Sequence, residues 1–188
     1  HQELELDQVG TTFKNDGIES RVDAKHRSAD LFGGQLQGMF GLQQQFFNFS
    51  AIGDEAFLPT TQNSLVALFA YEELKLGDFK PSVGARVDSS GVKAFDDAAF
   101  GPGTTRTFWT PSASLGLMHQ TTQSLSLSLN GTYTERAPNY QEIFANGPHV
   151  ATGAFEVGNR NMDVEKNIGV EVSARNKTES NEARFSVF

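Results

Sequence analysis

Residues Ser124-Leu125-Ser126-Leu127-Ser128-Leu129-Asn130-Gly131-Thr132-Tyr133-Thr134 decide the fold class of this chain. Leu125, Leu127, Leu129, Gly131 and Tyr133 fall on one side, and Ser124, Ser126, Ser128, Asn130, Thr132 and Thr134 on the other. Successive side chains of a β-strand point to opposite faces, so this period of two specifies an apolar face backed by a polar one. A helical period would scatter the same residues around the axis.

The pattern recurs in both directions along the chain. Trp109, Pro111, Ala113, Leu115 and Leu117 oppose Thr110, Ser112, Ser114 and Gly116, and His119–Gln123 is short enough for a tight hairpin turn. Phe79, Pro81, Val83, Ala85 and Val87 alternate with Lys80, Ser82, Gly84, Arg86 and Asp88. Leu36, Gly38, Phe40 and Leu42 alternate with Gln35, Gln37, Gly41 and Gln43, Met39 being the exception. Ile18, Val22 and Ala24 oppose Glu19, Arg21, Asp23 and Lys25, while Ile168, Val170, Val172 and Ala174 oppose Asn167, Gly169, Glu171, Ser173 and Arg175. Leu65–Tyr71 is apolar on both sides and is a less regular strand, and Ala183–Phe188 is another. The expectation is about nine strands of the length that tilted membrane strands need. Short links such as Lys75–Asp78 and Lys177–Glu182 alternate with long ones near 53–63, 89–106 and 137–166. Short turns on one side and long loops on the other are characteristic of outer-membrane barrels.

Composition agrees with such a wall. The 188 residues are 38% hydrophobic with a mean hydropathy of -0.38, yet include 16 Phe and 18 Gly. That is too aromatic for disorder and too polar for a large dry core. There is no cysteine, which excludes disulfides and thiolate sites within the chain. A net charge of -8 argues against nucleic acid, whose phosphates demand a basic surface. No window approaches the length of a membrane-spanning helix. No nucleophile elbow, phosphate loop or HExxH occurs, so no enzyme is expected. Alternation alone leaves a soluble β-sandwich or lipocalin-like barrel open, because a sheet facing a core shows the same period.

Two further stretches carry a family resemblance. Thr134-Glu135-Arg136-Ala137-Pro138-Asn139-Tyr140-Gln141-Glu142-Ile143-Phe144 and Phe155-Glu156-Val157-Gly158-Asn159-Arg160-Asn161-Met162-Asp163-Val164-Glu165-Lys166 resemble, in order and spacing, the strand-to-loop motifs of TonB-dependent receptors. On physical grounds Pro138 ends a strand, Gly158-Asn159 makes a turn, and Glu165-Lys166 is placed to pair charges as the next strand begins. The resemblance implies an antiparallel transmembrane β-barrel of the outer membrane, of roughly 22 strands around a plug. Residues 1–188 would form one barrel segment, and no plug sequence is recognised. The implied partners are outer-membrane lipid, the TonB energy-coupling complex acting through the plug, and a transported metal or metal chelate.

Within that family, Phe144–Asn159 resembles the loop of the zinc-uptake type. The resemblance implies that His149 binds metal as a neutral imidazole, with zinc as the transported ligand and no resident cofactor. Zinc generally takes four donors, so His149 needs company. The acidic pair Asp54 and Glu55 matches an acidic pair in the similar loop and supplies the candidate carboxylates. The plain alternatives are a solvated loop tip for Asp54 and Glu55 and a locally hydrogen-bonded histidine for His149. His26 and His119 are assigned structural roles. A siderophore or haem receptor of the same family, or a barrel that displays loops without transport, stays open.

Overall fold

The computed structural model describes residues 11–53, 56–149 and 153–188. In chain order the elements are β1 (Thr11–Lys25), β2 (Ala29–Leu31), β3 (Gly34–Gly53), β4 (Thr61–Lys75), β5 (Phe79–Ala94), β6 (Thr104–Gln120), β7 (Leu125–Arg136), α1 (Tyr140–Phe144), β8 (Asn146–His149), β9 (Ala154–Val157), β10 (Glu165–Lys177) and β11 (Glu182–Val187). Nine strands make one antiparallel sheet ordered β1-β3-β4-β5-β6-β7-β10-β11, with β2 beside β3, and β8 and β9 pair separately as a hairpin. Among the described residues the outer edges of β1 and β11 have no partner strand, so the sheet is a length of wall and not a closed barrel.

The register keeps the two faces apart across the whole sheet. Val22 pairs with Leu42, Leu42 with Leu68, Leu68 with Val87 and Val87 with Pro111, giving one apolar row over five strands. Leu117, Leu129, Val172 and Val187 form another. One step along, Arg21, Gln43, Ala67, Asp88 and Thr110 make a row on the opposite face. A slip of one residue would exchange the faces, so the alternation excludes odd shifts and the short turns set the rest of the register. The apolar face stands open, with Ile168 79% and Trp109 67% exposed. A contiguous apolar surface of this extent is a surface for lipid.

The polar face is tied into a network. Arg21 pairs with Asp23 at 3.1 Å and Arg86 with Asp88 at 2.5 Å. Arg86 also donates to Gln43 at 3.0 Å, and Gln43 donates to Glu19 at 2.6 Å. The Phe69 ring lies beneath both guanidiniums, 4.3 Å from that of Arg21 and 5.7 Å from that of Arg86.

Several strands outrun their alternating stretch. β5 and β6 continue to Ala94 and from Thr104, so their link is 95–103, shorter than the expected 89–106. On the outward face Ser89, Gly91 and Lys93 replace the apolar series of Val83, Ala85 and Val87, while the ladder to β6 runs on unbroken. The apolar alternation therefore marks the lipid band, and the strands extend past it. His119, expected in a turn, instead belongs to β6: it pairs with Phe79 and stacks on that ring at 4.4 Å. The charge pairing expected where β10 begins is present, Glu165 meeting Arg136 at 2.7 Å and Lys166 meeting Glu135 at 3.6 Å.

Candidate functional site

At the end of the sheet opposite the short turns, the long links fold inward over the polar face and form a small cap. The stretch expected as an irregular loop contains α1, which has a complete capping box. The Asn139 side chain accepts from the Glu142 amide at 2.9 Å, and the Glu142 carboxylate accepts from the Asn139 amide at 2.8 Å. Two of the orphan amides at the helix start are thereby satisfied. Arg136, at the end of β7, grips Glu142 at 2.8 Å and so ties α1 to the wall. This pairing holds the Glu142 carboxyl below its ordinary range and keeps Arg136 firmly charged.

The cap has its own core. Ile143 and Phe144 pack with Val92, Ala94 and Phe108 of the wall, and Phe57, Leu58 and Ala145 form a second cluster beside them. Tyr140 bridges the clusters and lies against Phe49 at 4.8 Å and Phe47 at 6.0 Å. Burial raises its phenol pKa above the ordinary value. Gly158 is required here by close approach: a Cβ on it would sit 2.7 Å from the Ile143 carbonyl carbon. Its amide donates to the Ala145 carbonyl at 2.7 Å, returning the chain beneath α1. Arg106 donates to the carbonyls of Arg160 and, at 3.0 Å, Met162, while Arg160 donates to the Phe100 carbonyl at 2.5 Å and the Pro102 carbonyl at 3.2 Å. These two arginines clasp the β5–β6 link against the segment leading to β10.

His149 closes the short strand β8. Its Nδ1 lies 2.5 Å from Glu156 Oε1 across the β8–β9 hairpin, and its ring stacks on Phe57 at 4.6 Å. Gln141 of α1 donates to the other Glu156 oxygen at 2.7 Å. The hydrogen bond from Gln141, then that from His149, holds the Glu156 carboxyl below its ordinary range. Asp54 and Glu55 lie outside the described residues, although Phe57 of the same link is the residue stacked on His149. Among the described residues no group of three or more metal-ligating side chains comes together.

Glu156 and Gln141 were within reach of sequence reading, since both sit in the quoted motifs, but nothing local assigns them a role. The capping signal Asn139-x-x-Glu142 was legible as well. Neither the hairpin that places Glu156 opposite His149 nor the contact between Phe57 and His149 has a local signature.

Comparison with known proteins accounts for this architecture. Residues 5–188 match the family described as TonB dependent receptor-like, beta-barrel. Among solved structures the chain is similar to one titled Copper transporter OprC, with a TM-score of 0.71 at 15% identity. The match covers 94% of this chain and 29% of that one, so this chain spans under a third of that protein's length. At that identity the likeness speaks for the fold. Receptors of this family are outer-membrane proteins and not enzymes, and the apolar face described above is accordingly the lipid face and the polar one the lumen face. Because the family match runs over nearly the whole sequence, this chain belongs to the TonB-dependent receptor β-barrel family.

Proposed function

We propose that this chain forms wall and outer mouth of a receptor that takes up a transition metal, zinc first, through a plugged barrel powered by the TonB complex. The observation that carries the metal reading is the Gln141–Glu156–His149 relay. A histidine that ligates metal characteristically gives its other ring N–H to a carboxylate, which fixes its tautomer and orientation. Here Glu156 receives Nδ1 and is itself held by Gln141. His149 would supply one nitrogen donor, Asp54 and Glu55 are the proposed carboxylates, and zinc is the cargo. The similar protein OprC is titled a copper transporter, which suits a metal substrate without choosing between zinc and copper.

A second reading has its own support. His149 stacks on Phe57, while Tyr140, next to Gln141 in the chain, lies against Phe49 and Phe47, and aromatic walls suit an organic chelate better than a bare ion. Elemental analysis of the full receptor after exposure to zinc, copper and iron, with and without His149→Ala, separates the readings. A retained equivalent of zinc that is lost in the variant is the expected result. Copper retained and lost in the same way would keep the metal site and change the metal. A folded receptor that retains no metal would overturn the ion reading in favour of a chelate.

A further inference from the structure

On the lipid face, charged side chains keep mainly to the long-loop ends of the strands: Lys14 and Asp16 on β1, Lys93 on β5, Glu135 on β7 and Lys166 on β10. Glu72 departs from this. It lies on the lipid face of β4 between Ala70 and Leu74, in register with Gly38 on one side and Val83 on the other. A carboxylate on such a face is costly unless it is paired. Its partner lies two strands away. His26, just past the end of β1, meets Glu72 Oε2 through Nε2 at 2.9 Å. The side chain of Glu72 reaches it by lying across β3 at Gly38, where a Cβ would come within 2.3 Å of the carboxylate. Any side chain at that position would block the crossing.

The other face of the imidazole is also committed. Nδ1 lies 2.7 Å from the Arg27 carbonyl oxygen. Both ring nitrogens thus face acceptors, and only the imidazolium can donate to both. The neutral ring must leave either the carbonyl or the carboxylate without a proton. We propose that His26 and Glu72 form a pH-gated staple, which pins the link between β1 and β3 onto β4 across Gly38 while His26 is protonated and releases it when His26 loses its proton to solvent.

The surrounding charges leave this couple to act as a unit. Lys25 at the end of β1 and Arg27 on the link flank His26, and Asp30 lies farther along on β2. Glu73 and Tyr71 of β4 line the same hollow as His26 from the opposite face of the strand, and Glu73 is occupied by Lys80 of β5 at 3.2 Å. β3 contributes Gln37, Gly38 and Met39 and no charge. The hydrogen bond to Arg27 first, and that to Glu72 second, holds the His26 pKa above its ordinary value. The sign follows: the staple's contribution is complete below the unfolded histidine value of about 6.5 and is lost as pH rises through the higher folded value.

The experiment uses the full receptor in a lipid bilayer. Hydrogen exchange of the 26–38 segment, corrected for the intrinsic rate, is compared near about pH 5.5 and about pH 8.5. Protection is expected to fall about threefold at the higher pH, the scale of a half-exposed ion pair. Glu72→Gln, which keeps length and polarity, should flatten that step. An equal step in Glu72→Gln, or none in the wild type, overturns the proposal. If the variant does not insert, titration of the His26 imidazole in the wild-type receptor decides it. A hydrogen-exchange step whose midpoint coincides with that titration supports the staple, and a step displaced from it overturns the staple.

Discussion

The wall and the cap bury their apolar residues in opposite ways. Across the wall Ile168, Val170 and Val172 all stand more than half exposed to the surroundings, whereas in the cap Ile143 is fully buried at 0% and Leu58 nearly so at 2%. The wall is held by a backbone ladder continuous over its strands, with lipid as the medium for its side chains. The cap has short elements, a five-residue helix and two four-residue strands, and depends on packing and on arginine clasps. The lesson is that one chain uses two solvents: the wall is stable because of what surrounds it, and the cap because of what it encloses.

The comparison can be broken most forcefully at Ile143. Ile143→Ala should cost the cap about 2–5 kcal/mol, the usual range for emptying a buried aliphatic site. Proteolysis and hydrogen exchange should then report a loosened α1 and β8–β9 hairpin with unchanged protection in β3–β6. Loss of protection in the strands as well would show that cap and wall are one cooperative unit.

On the wall the corresponding insult is a charge in lipid. Val170→Arg should reduce folding stability in bilayers by about 2–4 kcal/mol if it lies near the midplane. Thr132→Arg, on the lumen face of the neighbouring strand, should cost much less, and an equal cost would contradict the assignment of faces.

The relay gives the next effect. If His149 ligates the cargo, Glu156→Gln should weaken metal retention by about 10- to 100-fold, the usual consequence of removing a ligand's orienting partner. An unchanged affinity, with the hairpin still folded, would make Glu156 a bystander.

The smallest effect is the pH response of the clasp between Arg136 and Glu142. The Glu142 carboxyl is held low, so its stabilisation is present above the unfolded carboxyl value of about 4.3 and is lost as pH falls through the lower folded value. The cap should therefore loosen in acid ahead of the wall. Arg136→Gln should shrink that acid step, leaving the part due to the Asn139 amide, at a cost of only about 0.2–1 kcal/mol at neutral pH, since the pair is largely exposed. Thermal unfolding of the cap, followed by the Tyr140 signal between acid and neutral pH, measures both.

How much of this was legible beforehand differs between the two regions for the same reason. The alternation through Ser124–Thr134 and its counterparts identified the strands because each residue's face is set by its own position in the chain. It misjudged where β5 and β6 end, since Ser89–Ala94 lacks the apolar signal while its backbone still pairs. It also placed His119 in a turn, where the ladder to Phe79 keeps it in a strand. In the candidate site His149 was singled out, while Asp54 and Glu55 fall outside the described residues.

By itself, then, the sequence determined a run of β-strands with one apolar and one polar face, and the alternation of short turns with long loops. Those properties follow from a local period of two. Only the tertiary structure decided that the long links turn inward over the lumen face, that Glu156 orients His149, and that Glu72 crosses Gly38 to reach His26. Each of these joins residues whose proximity depends on strand pairing or loop packing, and no local period records which distant side chain will stand opposite.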